Sequence, residues 1–375
     1  MKTLNDIPEL DGKKVFLRVD FNAVKGDKIT GVFRIELHKK TIDYLLDKGA
    51  KVCLASHITK RGSFEGTIDD FSEVVGKEIK FLGDFDKEKI SQELEDNSLV
   101  MVDNLRNDKR EEENDEEFAK ELAEPFDIYV NDAFSVSHRK HASLSAIGKF
   151  LPAYAGFVVE REVEQLSKAF DKTIKPKVIV IGGAKAANKT KVIKKFLEVA
   201  DSVLIGGRVA IAFFKAKGFE VGMSPVDQEA LNNIKNINLD DPKLVLPTDV
   251  MISEDLSGKK EGRPFPAGDI DKTHAILDIG PESAKYFADL IHHSQLVIWG
   301  GPMGLIEEDN FASGNKVVAQ AVANSDGYSI VGGGDSIVFF EEQGLIDKFD
   351  FVSTGGGAML EYVAGDEMPG LDILK

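Results

Sequence analysis

Short runs of β-branched and apolar residues alternate with stretches of helical periodicity along almost the whole chain. In the first half the runs are VFLRVDF (15–21), KVCLAS (51–56), LVMVDNL (99–105) and DIYVNDAF (127–134). In the second half they are KVIVIGG (177–183), SVLIGG (202–207), KLVLPTDV (243–250), AILDIG (275–280), LVIWGG (296–301), YSIVGGG (328–334) and FDFVSTGGG (349–357). Continuous apolar strands separated by helices predict parallel sheets covered on both faces, an α/β fold. Between the first two runs Ile42, Leu45 and Leu46 fall on one helical face, and Gly49 supplies a stop. The segment FLPAYAGF (150–157) has the Pro and Gly of a connection and leads into the charged helical stretch VVEREVEQLSKAF. With 375 residues the chain is long enough for two cores. We therefore expect domains at 1–155 and 156–360.

Composition narrows the partners. A net charge of -17 argues against nucleic acid or an anionic membrane surface, although a local basic cluster can still take a small anion. The single cysteine, Cys53, sits in an apolar run and offers no disulfide framework, which fits a reducing compartment. The N-terminus lacks an apolar signal core, and no apolar stretch approaches the ~20 residues of a membrane span. The expectation is a cytoplasmic protein. The acidic run 111–117 reads as a solvated helix start rather than a metal site.

Chemistry gathers at strand ends, where ligands bind in open parallel sheets. In the first half these ends carry Asp20 and Asn22, Ser56 and His57, Asn104 and Arg106, and Asn131 and Asp132. His138 and Arg139 follow closely, and Arg34 opens the helical stretch after the first strand. Scattered surface salt bridges would explain any one arginine; the group fits an anion site, because the guanidinium fork pairs with phosphate and carboxylate. In the second half five runs end in glycine: 182–183, 206–207, 300–301, 332–334 and 355–357. Glycine lets backbone N–H groups approach a ligand, and a helix starting just after favours phosphate. Gly332, Gly333, Gly334, Asp335 and Ser336 before SIVFFEE fit that arrangement, with Asp335 placed to meet a magnesium-bound nucleotide phosphate.

Gly183 to Thr190 nearly matches the P-loop pattern, with Asn188 in place of its second glycine, so a degenerate P-loop NTPase is a rival reading. Lys185 and Lys189, four apart at a helix start, suit a migrating phosphoryl group; two solvated lysines are the bland alternative. His138 and His141 lack a third ligand at metal spacing, no G-x-G-x-x-G follows a strand, and no G-x-S-x-G elbow occurs.

The ordered set of motifs resembles the phosphoglycerate kinase family. Arg18-Val19-Asp20-Phe21-Asn22, Ser56-His57, Asn104-Leu105-Arg106, and Asn131-Asp132-Ala133-Phe134 with His138-Arg139 resemble its substrate-site motifs. Gly182-Gly183-Ala184-Lys185, Trp299 with Gly301-Pro302-Met303-Gly304, the 332–336 run and Ser353-Thr354-Gly355-Gly356-Gly357-Ala358 resemble its nucleotide-site motifs. The resemblance spans residues 15 to 370. It implies two Rossmann-like domains, each a parallel sheet flanked by helices, with an interdomain cleft and a hinge, and residues 361–375 folding back onto the first domain.

The implied reaction moves a phosphoryl group from 1,3-bisphosphoglycerate to ADP, giving 3-phosphoglycerate and ATP, with Mg2+ accompanying the nucleotide. Carried over by position, Asp20, Asn22, Arg34, His57, Lys60, Arg106 and Arg139 hold the triose. Lys185, Lys189, Glu307, Gly332, Gly333, Gly334, Asp335 and Ser336 hold the nucleotide, with Asp335 toward the metal. Arg34 and Lys185 neutralise the transferred group. Closure about the helix after Gly156 and the segment 353–357 excludes water, and the family implies a monomer. Four positions depart from its pattern: Lys60 stands for a usual Arg, Asn188 for an Asp, Arg208 for a third glycine and Gly300 for an Asn. These departures motivate a second reading, a catalytically silent paralogue that only binds a nucleotide or anion.

Overall fold

The computed structural model describes residues 1–26, 28–59 and 62–375. They form two compact units, Met1–Glu164 with Glu367–Lys375, and Gln165–Asp366. The first unit is built on a six-stranded parallel sheet ordered Lys80–Phe81, Leu99–Met101, Lys51–Ala55, Lys14–Arg18, Ile128–Asn131, Ala153–Ala155. Its central strands are buried along nearly their whole length, as their lack of alternation requires. Phe21, Phe64 and Phe71 cluster at one end of the core, with ring centroids 4.8 and 5.7 Å apart.

The last nine-residue segment of that unit is bound to it by backbone. Asn131 Nδ2 donates to the Gly370 carbonyl at 2.8 Å, and Gly370 N–H donates to the Ser137 carbonyl at 2.8 Å.

The second unit carries a parallel sheet ordered Leu244–Val245, Ser202–Ile205, Lys177–Ile181, Leu296–Gly300, Tyr328–Gly332, Phe351–Ser353. Strand order reverses direction between Lys177–Ile181 and Leu296–Gly300, which opens a crevice at their carboxyl ends. Five of the six strands are the glycine-terminated runs, and register sets Gly300 beside Gly332 and Gly332 beside Ser353. Trp299 is fully buried beneath this edge, edge-on to Phe340 at 4.9 Å.

Three sequence expectations need correction. The run at 275–280 does not join the parallel sheet: Ala275–Ile279 forms an antiparallel three-stranded sheet with Asp249–Ser253 and Arg263–Pro266. The run at 243–250 is split between the two sheets, since Pro247 lacks the N–H a continuous ladder needs. The connection at 150–157 contains an edge strand, Ala153–Ala155, preceded by Pro152, whose carbonyl accepts the Tyr129 N–H at 3.0 Å. Among the described residues no helix is long and apolar enough to cross a membrane.

Candidate active site

In the first unit the strand Lys14–Arg18 delivers Arg18 to the sheet's carboxyl edge, fully buried. Its Nε donates to Ser143 Oγ at 3.0 Å, its Nη1 to the Val19 carbonyl at 2.7 Å, and its Nη2 lies 3.3 Å from His57 Nδ1. Ser143 in turn donates its hydroxyl to Glu111 Oε1 at 2.6 Å and its N–H to Oε2 at 2.9 Å. Glu111 is therefore completely buried, contrary to the solvated reading of the 111–117 run. A guanidinium taken out of water needs a counter-charge nearby, and Glu111 supplies it.

Asp20, two residues past Arg18, is the second node. Its carboxylate accepts from Asn22 N–H at 3.1 Å, from the Ser135 hydroxyl, and lies 3.3 Å from Arg34 Nη1. Burial alone would raise its pKa, but Arg34, His57 and Ser135 outweigh burial and hold it well below the usual carboxylate range. The Asp20 N–H donates to His38 Nε2 at 3.1 Å, so His38 presents a protonated Nδ1 to Asp132 Oδ2 at 2.8 Å. Asn22 is pinned through both ends of its amide to Thr59, at 2.8 and 3.0 Å.

Arg106 and Arg139 complete the site. Arg106 lies 3.5 Å from Glu112, yet its Nε and Nη2 are buried with no hydrogen-bond acceptor, as is Arg139 Nε. Burial, then the charges of Arg139 and Arg18, bring Arg106 down to about 10. The same surroundings leave the imidazoles neutral. Burial and Arg139 bring His138 to about 4, burial and Arg106 bring His141 to about 3, and burial and Arg18 push His57 well below its ordinary value. Buried donors without acceptors, in a field of like charge, make a receptor for an anion with several oxygens. Lys60 lies outside the described residues.

A pH prediction follows from the imidazoles. Their folded pKa values are depressed, so below about 6.5 the unfolded chain binds protons that the native chain refuses, and stability falls as pH drops toward 4. Urea midpoints at pH 6.5 and 4.5 should show this loss, and His138→Asn should shrink it. An unaltered pH slope in that variant would contradict the assignment.

In the second unit the helix Ala186–Val199 starts just beyond the strand Lys177–Ile181, with Lys185 as its N-cap residue. Lys189, one turn in, does not point to solvent. Its ammonium donates to the Gly182 carbonyl and reaches the Gly300 carbonyl at 3.4 Å, bridging the ends of the two strands at the crevice. Burial, with Lys185 adding repulsion against the pull of Asp335, brings Lys189 down to about 8. Lys185, Lys189 and Asp335 thus form one electrostatic group. Gly333, with φ +111°, caps the helix Gly334–Glu342, and Ser336 Oγ is buried there with no partner.

Beside this edge is a cavity of about 150 Å3. The helix Gly207–Ala216 forms one wall through Ile211 and Phe214, and the antiparallel sheet forms another through Val250 and Ile276. Glu307, Asp335, Gly183, Ala184 and Arg208 also line it. Lys185, Lys189, Gly332, Gly333, Gly334 and Ser336 are not among its walls but sit at the adjoining strand ends. An apolar pocket running into a glycine edge with cations and a helix N-terminus suits a base, a sugar and phosphates in that order.

Sequence reasoning missed several participants. Glu111, Ser143, Ser135 and His38 carry no motif of their own, and the cavity walls Ile211 and Phe214 look like ordinary helix core.

A family model described as phosphoglycerate kinase matches residues 4–366. The chain is 39% identical to the phosphoglycerate kinase of Dictyoglomus turgidum, covering 100% of this chain and 99% of that protein. It is 40% identical to the cytosolic phosphoglycerate kinase of Triticum aestivum, covering 97% and 95%. Among solved structures it resembles phosphoglycerate kinase from Pyrococcus horikoshii (TM-score 0.87, 31% identity, 100% of this chain and 98% of that one). The enzyme from Coxiella burnetii gives a TM-score of 0.82 at 31% identity, covering 99% and 98%.

Proposed function

The chain belongs to the phosphoglycerate kinase family, and from that premise we propose how its residues share out the reaction, reversible phosphoryl transfer from 1,3-bisphosphoglycerate to ADP. The full-length match carries this reading over a silent paralogue or a degenerate P-loop NTPase. The unit Met1–Glu164 with Glu367–Lys375 takes the triose, and the unit Gln165–Asp366 takes the nucleotide.

Arg106 and Arg139, with donors lacking acceptors, bind the triose phosphate, aided by His57 and, from its sequence position, Lys60. Asp20 and Asn22 orient the substrate and hold Arg34, whose remaining donors meet the acyl phosphate. On the nucleotide side Glu307 accepts from ribose hydroxyls. Lys189 and the helix N-terminus at Gly334, with Gly332, Gly333 and Ser336, receive phosphates. Lys185 neutralises the group in transit.

One carboxylate, Asp335, with no cluster of three metal-ligating side chains among the described residues, fits a magnesium ion that arrives on the nucleotide and is held largely by phosphate oxygens. That ion would neutralise phosphate charge. Transfer needs in-line placement and charge stabilisation rather than covalent help. Water competes as acceptor, so hinge closure at the helix Phe157–Leu166 and near Ser353 to Gly357 belongs to the proposal. A cytoplasmic location fits the cytosolic relative, and a monomer is what the family resemblance implies.

The deciding assay couples acyl phosphate formation from Mg-ATP and 3-phosphoglycerate to a dehydrogenase. Folded, nucleotide-binding protein without turnover would restore the silent reading; ATP hydrolysis without triose would restore the NTPase. Lys189 adds a pH test. Its ammonium is lost above about 8, so kcat/KM for ADP should fall as pH rises through that value. Lys189→Arg should remove the decline, and an identical decline in the variant would count against the role.

A further inference from the structure

His57 follows the strand Lys51–Ala55 and is buried at the sheet's carboxyl edge, with the chain pinned on both sides of it. Ser56 Oγ accepts the Phe21 N–H at 2.9 Å, and the Ile58 N–H donates to Asn104 Oδ1 at 3.0 Å. Among the described residues the one hydrogen bond to its ring comes from Arg18, whose Nη2 lies 3.3 Å from Nδ1; Nε2 has none. A guanidinium has donors and no acceptor, so Nδ1 must carry the lone pair and the ring proton must sit on Nε2. The ring does not readily take a second proton, because Arg18, Arg106 and Arg139 face it as cations against Asp20, and burial adds to their effect. Arg18 itself cannot turn away. Its Nη1 donates to the Val19 carbonyl at 2.7 Å and reaches the Ala55 carbonyl at 3.5 Å, while its Nε is held by Ser143, which Glu111 anchors in turn.

We propose that Arg18 is a positioning residue for the transfer reaction: by donating to Nδ1 it fixes His57 as a neutral Nε2–H donor for an oxygen of the triose substrate. The inference rests on the proposed contact between His57 and the triose. Its chemical sense lies in charge. Arg34, Arg106 and Arg139 already gather cations at this edge, and one more would add repulsion before any substrate arrives. A neutral N–H binds a hydroxyl, carboxylate or phosphate oxygen without that repulsion. The other tautomer would turn a lone pair on Nε2 toward the same oxygens and repel them.

The direct test is nitrogen NMR on the full-length protein carrying isotopically labelled histidine, with the His57 signals assigned by their loss in His57→Gln. From about pH 5.5 to about pH 8, Nδ1 should give the shift of an unprotonated nitrogen and Nε2 that of an N–H. A proton on Nδ1, or an imidazolium in that range, overturns the proposal whether or not any Arg18 variant folds. Kinetics supply the second arm. Arg18→Met should raise the KM for 3-phosphoglycerate roughly tenfold, the scale of one lost hydrogen bond, while the KM for ATP moves by less than about twofold. His57→Ala should raise the first KM by a similar factor, and the double variant should lose little more than either alone, because both changes remove the same donor. Additive losses would show that Arg18 acts without His57 and would overturn the proposal. An unchanged KM in His57→Ala would sink the triose contact itself, and this role with it. A raised KM there beside a proton on Nδ1 would spare that contact and sink only the role of Arg18.

Discussion

Replacing Arg34 by alanine should lower kcat by roughly 10²–10³-fold while the KM for ADP moves by less than about threefold. Arg34 lies in the middle of the short helix Val32–Glu36 and is only partly committed within its unit. One nitrogen reaches Asp20 at 3.3 Å and the Asn22 carbonyl at 3.5 Å, and the remainder of the fork is free for a ligand. Asp20 keeps Ser135 and the Asn22 N–H in its absence, so stability should fall by no more than about 1 kcal/mol, typical for a partly exposed pair. Steady-state kinetics with both substrates varied, beside a urea titration, separates the two effects. A rise in the KM for ADP with kcat intact would remove Arg34 from the transfer step. Arg34→Lys should recover only part of the rate, because a single ammonium cannot make the two parallel bonds of the fork.

Gly301→Ala should be a strongly damaging single methyl group in the second unit. Gly301 has φ +94°, and a Cβ there would lie 2.5 Å from the Gly182 carbonyl oxygen and run into the Lys189 ammonium. Its carbonyl is also held by Trp299 Nε1 at 2.8 Å, so the turn cannot swing away without uncovering a buried donor. We expect a loss of about 3 kcal/mol in urea denaturation, strain and steric displacement together. Because Lys189 is displaced, ADP affinity should drop at least about tenfold, a change of ~1.4 kcal/mol. Gly344 provides the control: with φ +65° and open space around it, alanine there should cost only the backbone penalty, about 1 kcal/mol. Equal effects at the two positions would show that crowding at the strand end is unimportant.

Much of this was legible in the chain because it depends on local signals. Glycine pairs after apolar runs marked the carboxyl ends of Lys177–Ile181, Ser202–Ile205, Leu296–Gly300, Tyr328–Gly332 and Phe351–Ser353, which lie in one sheet. What stayed hidden depends on residues far apart in sequence. Glu111 reads as one more acid in a polar run until Arg18 and Ser143 are folded against it. Lys189 was marked by its spacing from Lys185, but only the strand ends beneath it turn its ammonium inward. Arg18 stood inside a recognised motif, yet nothing in the pattern told its buried, bracing role from a ligand-binding one. Ala275–Ile279 has the composition of a parallel strand, and only its partners, Asp249–Ser253 and beyond, make it antiparallel.

That antiparallel sheet has a further consequence. It contributes Val250 and Ile276 to the cavity, whereas the glycine edge and Lys189 belong to the parallel sheet and its helices. On the proposed reading the nucleoside would meet walls drawn from both layers, while its phosphates would meet the parallel sheet and its helices alone. Substitutions in the antiparallel sheet would then alter the fit of the nucleoside and leave the phosphate end as it is.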